Sequence, residues 1–494
     1  MASRAISRCS MMRMQALWAA RFLRMTSTTM PNPAAEPRHA GWLRRVAIAA
    51  FWILVWEAAS LFVGSPILLA GPVDTLLRLA SFLPDPAFWG TLALSFWQIF
   101  LGFIGGFAAA LVLGFLSHRF RPARELLAPL FDALKSIPLV CIIVLLLLWV
   151  GSKKVSALAV FLAVFPAVYF SVLEGLDAQD PKLRELLHAM RTSGMRIFLA
   201  DTWQQLLPFL LGTARNVCGM AWKAGVAAEV IGTPRNTIGE AVYQSKLLLE
   251  TADLFAWTIA IVAASWACER LFLALLEKSG FCALKLALRG RHASTERIAP
   301  ASVKAHDLTL GYETGESGKT VLAEKLSFTL DAGTRWILTD ASGTGKTTFI
   351  ACAAGLRKPL AGSIDSASAL SLMCQEARLV EAYTAEENVE LVAALTENEA
   401  RSLLLELLPK SCLGRPVSEL SGGQRRRVEL VRALAHASGL VLLDEPFASL
   451  DERTHKEAAA FILRHLEGRT LIVASHAQRD RELVAAEVLE LFGR

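Results

Sequence analysis

An all-helical membrane domain of six spans, fused to a cytosolic α/β domain built on a parallel sheet, is the fold class this sequence predicts. Three observations predict it. The 494-residue chain is 54% hydrophobic and 19% charged, with mean hydropathy +0.42, whereas a water-soluble chain carries about a quarter charged residues. The apolar excess is concentrated before about residue 285. Beyond residue 303, short apolar strands alternate with polar helical stretches, the pattern of a parallel α/β sheet. These facts exclude a single soluble enzyme, a disordered chain and a disulfide scaffold. The eight cysteines lie far apart without a CxxC pair, which fits reduced thiols. A formal charge of +6, from 51 basic and 45 acidic side chains, is too small a bias to point to nucleic acid as a partner.

Four regions are expected: a basic N-terminal tail at 1–44, a membrane domain at 45–280, a linker at 281–302 and an α/β domain at 303–494. In the tail, Arg4, Arg8, Arg13, Arg21 and Arg24 precede any acid. It reads as a cytoplasmic flank, with an organellar transit peptide as the alternative for 1–30. The expected spans are 46–66, 91–115, 136–152, 155–173, 206–230 and 254–276, since crossing about 30 Å of hydrocarbon takes about 20 apolar helical residues. Arg119, Arg121 and Arg124 mark an inside loop, and Lys285, Arg289, Arg291 and Arg297 follow the last span. The positive-inside rule then puts both termini in the cytoplasm; Lys153 and Lys154, in an outside loop, run against it. Gly212, Gly219 and Gly225 would let helices approach closely. Lys223 and Glu229 are either pathway or interhelical groups, or charges at helix ends.

In the α/β domain the strand TRWILTD (334–340) runs into ASGTGKTT (341–348). A phosphate-binding loop needs small residues for backbone convergence, a lysine for the β/γ oxygens and a hydroxyl for Mg²⁺. Gly343, Gly345, Lys346 and Thr347 supply these, flanked by Ser342, Thr344 and Thr348, while Asp340 stands where a glycine is usual. LSGGQ follows at 420–424, LVLLDEP at 440–446 and SLD at 449–451. The strand TLIVAS leads into His476, and Gln375 ends the strand of LMCQEARL. An apolar strand ending in Asp444 and Glu445 puts one carboxylate by a metal's water shell and the other where it can polarise an attacking water.

These pieces, in this order, resemble the ATPase domain of ABC transporters over about residues 303–494. The resemblance implies ATP and Mg²⁺ as cofactors. Lys346 and the loop amides would bind phosphates, Thr347 and Gln375 would coordinate Mg²⁺, and Asp444 would hold it through water. Glu445 would be the general base, His476 would contact the γ-phosphate, and Tyr312 would stack on adenine. Ser421, Gly422 and Gly423, with Gln424 and Asp451 in the same ATP-binding set, would close over ATP held by a partner domain. The active unit would then be a head-to-tail homodimer. Only 75 positions separate Lys346 from Ser421, which is short for the family and shortens its helical subdomain.

The loop SHRFRPARE is too short for the cytoplasmic helix extensions of an exporter. The segment before the fifth span resembles the coupling segment of binding-protein-dependent importer permeases. Glu185, Ile197, Phe198 and Pro208 fit that pattern, whereas Leu186, Leu187 and Arg191 replace two alanines and a glycine. The stretches at 133–151 and 221–232 are similar to permeases of the nitrate, sulfonate and taurine import group. What this implies is a multi-pass protein of the plasma (inner) membrane, in contact with lipid. It would take a small anion from an external solute-binding protein and move it inward with ATP. An exporter half is the alternative within transport; a non-transporting sensor or ATP-gated channel is the alternative from another class.

Overall fold

A computed structural model describes residues 38–288, 298–314, 318–340, 343–367 and 369–491. Most of the expected tail, the basic residues Arg289, Arg291 and Arg297, and the loop residue Ser342 lie outside the described residues. The chain forms two compact units. One runs to Asp177 and resumes over Pro208–Glu277; the other joins Ala178–Leu207 to the chain from Lys278 onward. This division differs from the expected one, because a piece of the membrane half folds with the α/β half.

The helices before the first strand are α1 (Arg38–Val63), α2 (Pro72–Phe82), α3 (Pro86–Arg119), α4 (Arg121–Ser136), α5 (Leu139–Val150), α6 (Ser152–Asp177), α7 (Pro181–Ala189), α8 (Gly194–Ile197), α9 (Trp203–Gly232), α10 (Ile238–Leu247) and α11 (Thr251–Leu288). A π turn at Phe198–Thr202 joins α8 to α9. Among the described residues, Val46–Val63, α3, α6 and α11 are each long and apolar enough to cross a membrane. The third expected span is not a straight helix. With 12 residues, α5 rises only about 18 Å. It is bent 102° from α4, because Pro138 holds Ile137 extended at φ −79°, ψ 126°. The fifth, α9, has 30 residues but carries Arg215, Lys223 and Glu229, and falls short of the others in apolarity.

In the helical unit α6 is the central element, with 61% of its apolar window buried against 0% for α1. Gly102, Gly106, Ala110 and Gly114 recur every fourth residue on α3 and face it. A Cβ on Gly102 would stand 2.2 Å from the Ala157 carbonyl oxygen, and one on Gly114 2.5 Å from Val172. Small residues at this spacing let two backbones touch. Of the glycines expected to do this in α9, only Gly225 does, against Ile99; Gly212 and Gly219 have nothing within 4 Å. Glu229 is fully buried. Its Oε2 accepts from Ser95 Oγ at 2.8 Å and from Gly239 N at 3.1 Å, while Ser95 Oγ accepts from Ile238 N at 2.8 Å. The carboxylate thus joins α3 and α9 to the first turn of α10, which makes it an interhelical group.

The α/β unit continues with β1 (Val303–Thr314), β2 (Gly318–Leu330), β3 (Arg335–Leu338), α12 (Lys346–Ala353), β4 (Ala361–Asp365), β5 (Leu370–Met373), α13 (Ala385–Glu390), α14 (Glu397–Leu405), α15 (Gly422–Ala435), β6 (Leu440–Asp444), α16 (Glu452–His465), β7 (Thr470–Ala474), α17 (Arg479–Leu483) and β8 (Glu487–Val488). A parallel sheet of order β5-β6-β7-β3-β8 carries the fold, beside an antiparallel sheet of order β2-β1-β4. Strands β6 and β7 are buried along their whole length, as a sheet covered on both faces requires. Capping boxes at Thr384/Glu387 and Thr396/Glu399 start α13 and α14. Leu183, Leu186, Leu187, Met190, Ile197 and Ala200 share one core with Leu308, Leu372, Tyr383 and Leu440. At roughly 1.5–3 kcal/mol for each large apolar side chain buried, that core explains why 178–207 folds here.

Candidate active site

The site lies at the C-terminal ends of β3, β5, β6 and β7, where side chains from neighbouring strands converge. After β3 the loop reaches α12 through Gly343 at φ 82° and Gly345 at φ 121°, a region open to glycine. Lys346 opens α12 and is only 5% exposed. Its Nζ donates to the carbonyl of Asp340 and lies 3.1 Å from His476 Nδ1. His476 Nε2 stands 3.0 Å from Glu445 Oε1. One tautomer serves both neighbours: Nδ1 accepts from the ammonium, and the Nε2 proton faces the carboxylate. Lys346, His476 and Glu445 thus form a row of alternating character, from cation through imidazole to anion.

Burial holds the Lys346 ammonium below the usual lysine range, against the opposing pull of Glu445, Asp340 and Asp444. Burial raises Asp444, partly offset by its bond with Thr347 and by Arg426, Lys346 and His476. Glu445 is raised by burial and by Asp444, with His476, Lys346 and Arg426 opposing. Glu445 also sits at φ 52°, a left-handed conformation costly for a side chain with a Cβ. Its amide is fixed by the Ala474 carbonyl at 2.9 Å.

Thr347 Oγ1 donates to Gln375 Oε1 at 3.4 Å. Asp444 Oδ1 is buried without a hydrogen-bond partner among the described residues. A hydroxyl, an amide oxygen and an orphaned carboxylate oxygen are the hard donors that suit Mg²⁺, which keeps much of its water. The residues present therefore fit that ion. The Asp340 backbone carbonyl is the part of that residue bonded to Lys346, so the chain replaces the usual glycine without losing the lysine's anchor. Tyr312 is 41% exposed on β1, with its ring accessible.

The other expected residues stand elsewhere. Ser421 caps α15 in a reciprocal box with Gln424, at 2.9 and 3.3 Å. Gly422 has open space around it, and a Cβ on Gly423 would lie 3.0 Å from the Ser449 carbonyl. Asp451 caps α16, accepting from Thr454 N at 2.9 Å. Ser421, Gly422 and Asp451 are exposed, Gly423 and Gln424 half-buried, and none of them joins the Lys346 row.

Of the expected coupling-segment residues, Glu185, Ile197 and Phe198 lie within the α/β unit and Pro208 in the helical unit. Asp180 caps α7, and Leu186 and Leu187, the two departures from alanine, are fully buried. Lys182 pairs with Glu376, the Arg378 guanidinium donates to the Lys182 carbonyl at 2.9 Å, and Glu185 lies 3.8 Å from Arg378. The Tyr383 hydroxyl donates to the Ala200 carbonyl, and Ile197 is buried. Phe198 opens the π turn and lies beside Trp203. Pro208 falls inside α9. Arg191, where a glycine is usual, adopts φ 51°, the conformation for which glycine is favoured.

Comparison with known proteins places these observations. Residues 323–448 match the ABC transporter family, and residues 102–277 match the family described as binding-protein-dependent transport system inner membrane component. An aliphatic sulfonates import ATP-binding protein of Rhodococcus jostii, SsuB 1, is 33% identical over 183 residues, covering 35% of this chain and 74% of that protein. The chain belongs to the ABC transporter family. A permease protein of Bacillus subtilis named for aliphatic sulfonates transport, SsuC, is 27% identical over 240 residues, 48% of this chain and 86% of its own length. A macrolide export ATP-binding/permease protein of Aeromonas hydrophila, MacB 2, is 34% identical over 215 residues, but this chain spans only 33% of it. This ABC transporter is a multi-pass protein of the inner membrane that carries permease and ATPase in one chain, and it is an ATP hydrolase coupled to transport.

Two groups of the ABC site escaped the sequence reading. Arg426, 6% exposed, reads in QRRR as one more surface charge. Its NH2 donates to the carbonyls of Asp444 and Glu445. Ser475, beside His476, donates to Asp480, which lies 2.8 Å from His455 Nε2. His455 in turn stacks on Phe447 at 4.4 Å. A lone histidine in the run ERTHKEAAA carries no sequence signal for such a contact; only the fold brings α16 to the strand end.

Proposed function

We propose that this chain imports a small anion, of the nitrate, sulfonate and taurine class, delivered by an external solute-binding protein, and that it works as a head-to-tail homodimer with two ATP sites. The observation that carries this reading is the seating of 178–207 within the ATPase unit. A permease segment that shares the ATPase core moves with it, so a change at the ATP site is passed on as a displacement of packed elements. The permease-family match and the sulfonate relatives support import. Arg119, Arg121 and Arg124 in the loop after the second expected span support cytoplasmic termini.

The chemistry follows from the row of side chains. An arriving phosphate draws Lys346 Nζ away from His476 and Asp340, because an anion outcompetes an imidazole nitrogen and a carbonyl for an ammonium. Released from the lysine, the His476 ring can turn so that its Nε2–H donates a hydrogen bond to the γ-phosphate instead of to Glu445, which then accepts the proton of the attacking water. Mg²⁺, held by Thr347, Gln375 and, through water, Asp444, would neutralise charge on the β and γ oxygens. Ser421 to Gln424 and Asp451 would meet the nucleotide of the partner copy, a role for which Ser421, Gly422 and Asp451 are exposed.

Reconstitution tests the reading. Proteoliposomes should accumulate a labelled small sulfonate only when ATP faces the ATPase and a sulfonate-binding protein is on the opposite side. Outward movement, or transport without any binding protein, would favour the exporter reading. ATP-dependent flux without accumulation would favour a channel.

A further inference from the structure

β5 and β6 are parallel neighbours, paired from Leu370↔Leu440 to Met373↔Leu443. Past those pairs β5 ends and its chain runs on towards Gln375, while Asp444 and Glu445 continue alongside β7 at Ala474 without a β5 partner. Arg426 reaches into this gap from α15. One guanidinium nitrogen donates to the carbonyls of Cys374 at 2.6 Å and Gln375 at 3.1 Å; the other donates to that of Glu445 at 2.6 Å and to that of Asp444. Unpaired buried carbonyls are costly, and a planar fork of donors can bind two chains at once where a point-like ammonium cannot.

The fork has a carboxylate partner, which it shares with the buried Arg432, and is connected outward. Glu429, fully buried one turn along α15, accepts from Arg426 at 3.2 Å through Oε2 and from the Arg378 amide at 2.7 Å through Oε1. The Arg378 guanidinium in turn holds the Lys182 carbonyl of α7 at 2.9 Å. A chain of hydrogen bonds thus runs from the Glu445 backbone to the coupling segment, every link inside the same compact unit.

We propose that Arg426 is a positioning residue for ATP cleavage, holding the Gln375 segment and the Asp444–Glu445 strand end as one body, and that Glu429 and Arg378 tie that body to helix α7. The proposal rests on the reading of this site as the place of ATP hydrolysis. Gln375 and Glu445 act from different strands, and a misplacement of about 1 Å between reacting groups costs on the order of 100-fold in rate. A fork that fixes both backbones therefore acts on turnover more than on nucleotide binding.

Arg426→Lys keeps the charge and loses the fork. In full-length protein in lipid vesicles it should lower kcat for phosphate release by about 10- to 100-fold while changing ATP affinity by less than about 3-fold. Should that variant not fold, Arg426→Gln, which leaves Glu429 the buried Arg432 guanidinium at 3.8 Å as its cation, should show the same split. A folded variant that turns over within about 2-fold of wild type would overturn the proposal, as would equal losses of binding and kcat. Lys346→Ala measured alongside separates the two readings. Wild-type turnover there rejects the ATP site itself; loss of turnover there, with an unaffected Arg426 variant, rejects only the fork.

Discussion

The two units bury carboxylates in opposite company. In the helical unit Glu229 is enclosed by neutral donors, the Ser95 hydroxyl and the Gly239 amide. In the ATPase unit Glu445 has His476 at 3.0 Å, with Lys346 next in the row and Asp444 beside it. Neutral donors give a carboxylate a fixed address, and here they join three helices. Charged neighbours of both signs give it partners that a triphosphate can rearrange. The difference separates a structural acid from the acid proposed to be catalytic more clearly than burial does, since both are shielded from water.

Substitutions can break that comparison. The largest effect is expected from Lys346→Ala, which removes the cation of the row: phosphate release should fall by at least about 100-fold. Glu229→Ala leaves the Ser95 and Gly239 donors unpaired and should destabilise the helical unit by about 2–4 kcal/mol, seen as a lower thermal midpoint in detergent. Glu229→Gln keeps an acceptor and should retain both fold and transport. A folded Glu229→Gln protein that no longer transports would place a working charge in the membrane unit and erase the distinction.

A third carboxylate sharpens it. Glu390 has acids for neighbours, and burial with Glu397, Glu387 and Glu386 pushes it up to about 7 from 4.5. Between those values the folded protein holds a proton the unfolded chain has lost, so the stabilisation from this group is full below pH 4.5 and declines as pH rises towards 7. Glu390→Gln should raise stability at pH 8 by about 1 kcal/mol, after allowing for solvent screening, and change little at pH 4. The smallest effect is expected at Arg191, whose φ of 51° glycine would adopt freely. Arg191→Gly should stabilise the coupling segment by about 0.5 kcal/mol, the strain relieved less the added freedom of the unfolded chain.

What the sequence disclosed follows from how far each feature reaches along the chain. The phosphate loop, the strand ending in Asp444 and Glu445, and LSGGQ are contiguous, and each was legible. Apolar runs announced the spans, but length alone could not show that Pro138 breaks one of them or that α9 buries Glu229 while leaving Arg215 and Lys223 exposed. Leu183, Leu186 and Leu187 read as one face of a short amphipathic helix, and only the fold shows that this face is buried in the ATPase core. Arg426 was invisible for a related reason. A charge in a run of charges is usually solvated, and its four carbonyl partners come from segments about 50 and 20 residues away.

The central claim is that ATP is cleaved by the Lys346–His476–Glu445 row. The most direct test is single-turnover hydrolysis by Glu445→Gln in lipid vesicles, with bound nucleotide identified after rapid removal of free ATP. The account predicts uncleaved ATP retained on the protein and phosphate release reduced by at least about 100-fold. Release of phosphate at the wild-type rate, with ADP as the bound nucleotide, would contradict it.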